Sequence, residues 1–281
     1  IQAPAVLVIG KVCALADHLG WTQKRALDGV RVILTRPKEL ISRMSKSLSE
    51  LGAEVIELPS IDLVPCEQNK PLQAALEDIV SYQWVAFTSA MGVRFFFDFL
   101  QKNRVDVRRL SHLRFAVIGQ GTRDELAKHG IFADLMPSSY YAKDLAQALC
   151  QTMQKGQRVL LPRARIGSKD LTDILTQNGI EFTDVALYDT IYQSHNTHAV
   201  EKLIDNGQVS CAVFTSASTV RGFASTMQGK DLSLLTAACI GEKTAQAAKE
   251  YNMKVMIAKE ATIDSVTQML VEHADELRLN R

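Results

Sequence analysis

The sequence predicts an α/β protein made of two doubly wound, parallel-sheet lobes. Three observations carry that expectation. One set of motifs occurs twice along the chain, short apolar runs alternate with amphipathic helical stretches, and the apolar runs end in glycine- and hydroxyl-rich turns. Strands that are apolar all round belong in parallel sheets covered by helices on both faces.

The repeat is read directly. Arg31-Val-Ile-Leu-Thr-Arg36 pairs with Arg158-Val-Leu-Leu-Pro-Arg163, and Gly52-Ala-Glu-Val55 pairs with Gly179-Ile-Glu-Phe182. Ala86-Phe-Thr-Ser-Ala90 pairs with Val213-Phe-Thr-Ser-Ala217 in the same register. Ile118-Gly-Gln-Gly-Thr122 pairs with Ile240-Gly-Glu-Lys-Thr244 after a slip of a few residues. A register held over such a distance indicates two copies of one module.

The elements follow in order. Residues 30–34 form an apolar run that stops at Thr35-Arg36-Pro37, a strand followed by a turn. Residues 39–51 place Leu40, Met44, Leu48 and Leu51 on one helical face, and Gly52 ends that helix. Residues 55–58 are the next strand and residues 70–81 the next helix. Residues 84–87, 115–118, 159–161, 212–214 and 237–240 are further apolar strands. The stretch before Gly29 has no counterpart near residue 157, and Asp28-Gly29 reads as a turn between this tail and the first strand.

In open parallel sheets, ligands sit beyond the carboxyl ends of strands, where helices begin. Four places combine the two features: Thr88-Ser89-Ala90, Gly119-Gln120-Gly121-Thr122, Thr215-Ser216-Ala217-Ser218 and Gly241-Glu242-Lys243-Thr244. Each carries a hydroxyl suited to N-capping, and each exposes backbone N–H groups that attract anions. Plain helix capping is the competing use of such residues. Arg36, Arg163, Arg165 and Lys169 follow strand ends, where they meet either carboxylates or solvent. Tyr188, in Val185-Ala-Leu-Tyr-Asp-Thr-Ile-Tyr192, reads either as core filler or as a hydrogen-bond donor to a leaving group.

Composition excludes several classes. The chain is 47% hydrophobic and 22% charged, with a formal net charge of +1, so no broad field draws it to nucleic acid or a membrane. No apolar run reaches the ~20 residues that span a bilayer. The apolar segment 5–10 has neither the flanks nor the cleavage pattern of a signal peptide. Cys13, Cys66, Cys150, Cys211 and Cys239 lie far apart and are expected as free thiols, mostly buried, in a reducing cytoplasm. His195 and His198 lack the company of a metal site and read as polar linker residues. Gly119-x-Gly121 continues with Asp124 where a third glycine belongs, against nicotinamide binding.

Taken together, the motifs are similar to the uroporphyrinogen-III synthase family over residues 30–270. The resemblance rests on Thr35-Arg36-Pro37, Phe87-Thr88-Ser89-x-x-Gly92-Val93, Ile118-Gly119-x-x-Thr122, Pro162-Arg163-Ala164, Tyr188-x-Thr190, Phe214-Thr215-Ser216-x-Ser218-x-Val220 and Ile240-Gly241-x-x-Thr244-Ala245. It implies two α/β lobes joined by two extended linkers, here near residues 60–66 and 189–194. One lobe is then discontinuous (residues 30–62 and 192–281), and the other spans residues 63–191. Residues 3–12 and Leu19-Gly20-Trp21 resemble the tail of uroporphyrinogen-III C-methyltransferase, so residues 1–29 are expected as an inactive remnant of a fused enzyme.

By the same resemblance the substrate is hydroxymethylbilane, a linear tetrapyrrole with eight carboxylates. It is closed with inversion of its last pyrrole ring and loss of water, without metal or organic cofactor. Tyr188 matches the family tyrosine that assists hydroxyl loss, and Thr244 a threonine of the substrate cleft. Arg36, Thr88, Ser89, Gly119, Thr122, Arg163, Thr215, Ser216, Ser218 and Gly241 complete the expected binding set. Expected partners are the fused methyltransferase and the deaminase that supplies the bilane; nucleic acid and membrane are not. Two rivals stand beside this reading. A non-enzymatic two-lobed binder of an anion is disfavoured by the missing export signal, and a methyltransferase-related enzyme by the absence of that enzyme's cofactor loops.

Overall fold

The computed structural model describes residues 9–15, 25–192 and 197–278. The chain begins one sheet with β1 (Arg31–Leu34), α1 (Lys38–Glu50) and β2 (Glu54–Glu57), then crosses as β3 (Ile61–Pro65). A second sheet follows through α2 (Lys70–Glu77), β4 (Trp84–Phe87), α3 (Ala90–Lys102), β5 (Arg114–Val117) and α4 (Gln120–Ala127). It is completed by α5 (Ala142–Thr152), β6 (Arg158–Ala164), α6 (Lys169–Gln177) and β7 (Glu181–Tyr192). The chain returns to the first sheet with α7 (His198–Asp205), β8 (Cys211–Phe214), α8 (Ala217–Thr226), β9 (Thr236–Cys239), α9 (Glu242–Lys249) and β10 (Lys254–Ile257). It closes with α10 (Ile263–Glu272) and α11 (Ala274–Leu277).

The first sheet has the order β10-β9-β8-β1-β2, and all its pairs are parallel. The second has the order β3-β7-β6-β4-β5 and is parallel except for β3 against β7. The expected α/β class and doubly wound sheets are therefore present. The crossings differ from free linkers. They are strands that pair with each other, from Ile61↔Tyr192 to Pro65↔Tyr188, so each satisfies the other's backbone groups. Residues 193 and 194, the end of the second expected crossing, lie outside the described residues, as does His195. His198 opens α7 and is not in a linker.

Both faces of each sheet are buried, as apolar-all-round strands require. In β4, Val85 and Phe87 join one core cluster, and Trp84 and Ala86 join the cluster on the opposite face. In β8, Ala212 and Phe214 face one cluster, and Cys211 and Val213 the other. A buried side chain of the size of Phe87 or Phe214 contributes roughly 1.5–3 kcal/mol by leaving water. The helix expected over 70–81 stops at Glu77. There Asp78 leaves helical geometry and accepts from Ser81 Oγ, and a 3₁₀ turn follows over Ile79–Ser81. Gly52 ends α1 with φ +100°, a conformation that favours glycine.

The tail divides. Ile9, Val12 and Leu15 are exposed, and the short 3₁₀ helix Lys11–Leu15 buries nothing. Leu27, by contrast, is fully buried in the core beside β1, and its N–H donates to Leu51 O. Arg278 reaches back to the carbonyls of Ala26 and Asp28. The packed region therefore starts a few residues before the turn at Gly29. Residues 3–8 and 19–21 of the methyltransferase-like segment lie outside the described residues. Among the described residues, no helix is long and apolar enough to cross a membrane.

Candidate functional site

Helix starts at strand ends build the site. β4 runs into α3 through Ser89, and β8 runs into α8 through Ser216. Both serines are extended, with φ of −163° and −164°, and both cap their helix. Ser89 Oγ accepts from the Gly92 N–H at 2.9 Å, and Ser216 Oγ from the Thr219 N–H at 3.2 Å. β5 runs into α4 through Gly119, and β9 into α9 through Gly241; both glycines have φ of −178° and no side-chain cap. At these cap residues the two copies of the module thus repeat their φ to within a degree.

That pattern corrects one expectation. Of the four expected places, only the two that hold Ser89 and Ser216 have a hydroxyl cap. Thr122 and Thr244 are the third residues of α4 and α9 and are buried. The first N–H groups of those two helices therefore lack both an intrahelical acceptor and a side-chain cap, leaving them open to an anion. A Cβ at position 119 would sit 2.7 Å from the ring of Tyr140, whereas a Cβ at 241 would meet nothing within 4 Å. The space over the start of α9 is open, and a tyrosine covers the start of α4. Thr88, Thr215 and Ser218 flank the serine caps and are half-buried.

Tyr188 is core filler by its ring and carries a hydroxyl to a helix start. Its ring is buried in the core of the second sheet, 5.0 Å from that of Phe95. Its hydroxyl lies 3.1 Å from Ser89 Oγ, at the start of α3. Burial raises the phenol's pKa above its ordinary value, and the Ser89 hydrogen bond opposes that only in part, so the group stays protonated. A register shift between Arg163 and Ala164 in the β6–β7 pair sets Tyr188 opposite Ala164 and leaves Leu187 out of that pairing. Leu187 O instead accepts from the Cys66 N–H.

The arginines separate. Arg163 is buried, and its guanidinium is occupied. Nε and Nη2 donate to Asp184 at 2.8 and 2.6 Å, and Nη1 donates to Ser168 O at 2.7 Å. It fixes the loop between β6 and α6 and has little left for a ligand carboxylate. Arg165 is exposed and donates to Asp189 at 2.6 Å and to Cys66 Sγ at 3.2 Å. Arg36, at the end of β1, is half-buried, and its Nε is buried with no hydrogen-bond partner. Burial alone lowers its pKa. A guanidinium so placed favours an incoming anion.

Sequence reasoning missed a contact between the lobes. Lys243 Nζ, in the first turn of α9, lies 2.5 Å from Asp170 Oδ2 in the first turn of α6. It missed Tyr140 as well, since nothing in a loop tyrosine reveals that it will cover a glycine from another element.

The five cysteines are free thiols, but only Cys211 and Cys239 are buried, and burial pushes each up to about 12. Cys66 and Cys150 are half-buried and Cys13 is exposed, which corrects the expectation of a mostly buried set. Among the described residues, no group of three or more His, Cys, Asp or Glu side chains could hold a metal ion.

Comparisons with known proteins point mainly to one family. The family model described as "Uroporphyrinogen-III synthase HemD" matches residues 42–268. The "Porphyrin biosynthesis protein HemD" of Ruminiclostridium josui is 39% identical over 272 residues, which are 97% of this chain and 54% of that relative. This chain therefore spans about half the length of that protein. The uroporphyrinogen-III synthase of Chlorobaculum parvum is 27% identical over 233 residues, 82% of this chain and 92% of its own length. Among solved structures, a mutant uroporphyrinogen III synthase from Thermus thermophilus superposes with a TM-score of 0.60 at 16% identity. The match covers 88% of this chain and 99% of that one, and it supports the fold alone.

Proposed function

The chain belongs to the uroporphyrinogen-III synthase family, and from that premise we propose that it cyclises hydroxymethylbilane with inversion of the last pyrrole ring and loss of water. The observation that carries the proposal is the protonated Tyr188 hydroxyl at the start of α3, within a set of helix starts supplied in matching pairs by both sheets.

The chemistry suits that arrangement. Eight carboxylates need many anion-binding groups, and helix N-terminal amides supply them without a strongly basic surface. Gly119, Thr122, Gly241 and Thr244 shape the uncapped starts. Thr88, Ser89, Thr215, Ser216 and Ser218 line the capped ones, and Arg36 contributes a charge. Arg163 acts in this scheme by holding the loop after β6. Tyr188 donates a hydrogen bond to the terminal hydroxyl as its C–O bond breaks, and the oxygen departs as water with the proton given up by the N–H of the pyrrole that carried it. The resulting azafulvene is attacked by the substituted carbon of the last ring. The spiro intermediate then opens, and the ring reattaches inverted.

The working units proposed are residues 30–62 with 192–281, and residues 63–191, with 1–29 a remnant of a methyltransferase tail. The length of the Ruminiclostridium josui relative, about twice that of this chain, supports a fused partner. The deaminase that makes the bilane is the second proposed partner, and the proposed setting is the cytoplasm. The test is consumption of hydroxymethylbilane by protein dialysed against a chelator. The expected result is consumption well above the spontaneous rate. Consumption at that rate, with the bilane still bound, would leave a binder of anions without chemistry.

A further inference from the structure

Lys243 and Asp170 come from different lobes, yet their charged groups meet at 2.5 Å. Lys243 is the second residue of α9, two positions after Gly241, where the space is open. Asp170 is the second residue of α6, and Ser168 Oγ donates to the same oxygen of Asp170 at 2.9 Å. Lys143, in the first turn of α5, adds a second positive charge near that carboxylate. Lys243, hydrogen-bonded to it, contributes most to holding the Asp170 carboxyl below its ordinary range.

Both partners are substantially exposed, at 59% and 44% of the side chain. An ion pair in that setting is worth little and opens readily. It is a poor bolt between lobes but an exchangeable contact. An incoming carboxylate can take the lysine and leave Asp170 to Ser168 and Lys143. The uncapped amides beside Gly241 would face the same carboxylate.

We propose that Lys243 binds a carboxylate of the tetrapyrrole, and that Asp170 holds this lysine as an internal stand-in until the ligand displaces it. The inference rests on the synthase reading and adds a binding residue to that site. It separates sharply from a purely structural tie. If the pair only holds the lobes together, removing either partner has the same effect. If Asp170 competes with the ligand, the two removals act in opposite directions.

The probe is uroporphyrin III, an octacarboxylate, titrated by fluorescence quenching against wild type, Lys243→Ala, Asp170→Asn and Lys259→Ala. Lys259 pairs with Glu272 and controls for the loss of one positive charge. Lys243→Ala is expected to weaken binding roughly three- to tenfold, and Asp170→Asn to tighten it roughly two- to fivefold, the scale of one partly screened charged contact. Lys259→Ala should leave it unchanged. In turnover of hydroxymethylbilane, Lys243→Ala should raise KM and spare kcat. Shifts of the Lys243 and Asp170 variants in the same direction, or no shift in either, would overturn the inference while wild-type turnover still upheld the synthase reading. A wild type that neither binds the probe nor consumes the bilane would overturn both.

Discussion

Tyr188→Phe is expected to lower kcat roughly ten- to a hundredfold, with little change in folding. The ring stays in the core against Phe95, so the packing survives. Only the hydroxyl at Ser89 is lost. A hydrogen bond to a departing oxygen is strongest in the transition state, and its loss costs about 1–3 kcal/mol there. The defect should therefore appear in kcat and not only in KM. The pH behaviour follows from the same geometry. Burial raises the phenol's folded pKa above its unfolded value, so the neutral form is the stabilised one. Its contribution is fully present below the ordinary tyrosine range, near pH 10, and is lost as pH rises through the folded value. The wild type should show no basic limb from this group at or below that range. Stopped-assay kinetics and thermal melts of the variant check both points, and an unchanged kcat would return Tyr188 to core packing alone.

Gly222→Ala is expected to have the largest effect on stability. Gly222 lies within α8, which packs on the first crossing. A Cβ there would sit 2.4 Å from Ser60 O and 2.8 Å from Ile61 Cγ2. The first is backbone and cannot swing aside. Ser60 is itself pinned, because its hydroxyl lies 2.8 Å from Thr219 O and 3.1 Å from Thr35 O. Overpacking of this kind costs about 1–3 kcal/mol, and more where the backbone is fixed. Because β3 is paired with β7, a displaced Ser60 would also tilt one lobe against the other. Urea unfolding should show the loss, and small-angle scattering a changed lobe arrangement. A variant as stable as the wild type, with the same scattering curve, would show that the crossing yields freely.

The reach of the sequence is clear element by element. The apolar runs at β4 and β8 are wholly buried, so their composition alone identified them. Ser89 and Ser216 were legible because a serine straight after a buried strand has few other uses. Thr122 and Thr244 looked alike in sequence but sit inside the first turn of their helices, as the third residues. A glycine with no side chain took the cap position, and a motif read without backbone geometry cannot separate the two. The pairing of β3 with β7 was hidden for a different reason. Ile61-Asp62-Leu63-Val64-Pro65 is mixed in polarity, and its partner lies far along the chain. Arg163 was read as open to ligand because its true partner, Asp184, arrives on the next strand. Lys243 escaped notice because its partner belongs to the other lobe, and no local pattern announces a contact made by tertiary structure.

The most direct measurement is the isomer composition of the product that the purified protein forms from hydroxymethylbilane. Enzymatic closure through the spiro route predicts predominantly the isomer with the last ring inverted, and a lower proportion of it from Tyr188→Phe as spontaneous closure competes. A product consisting only of the uninverted isomer, the outcome of unassisted closure, would contradict the proposed function.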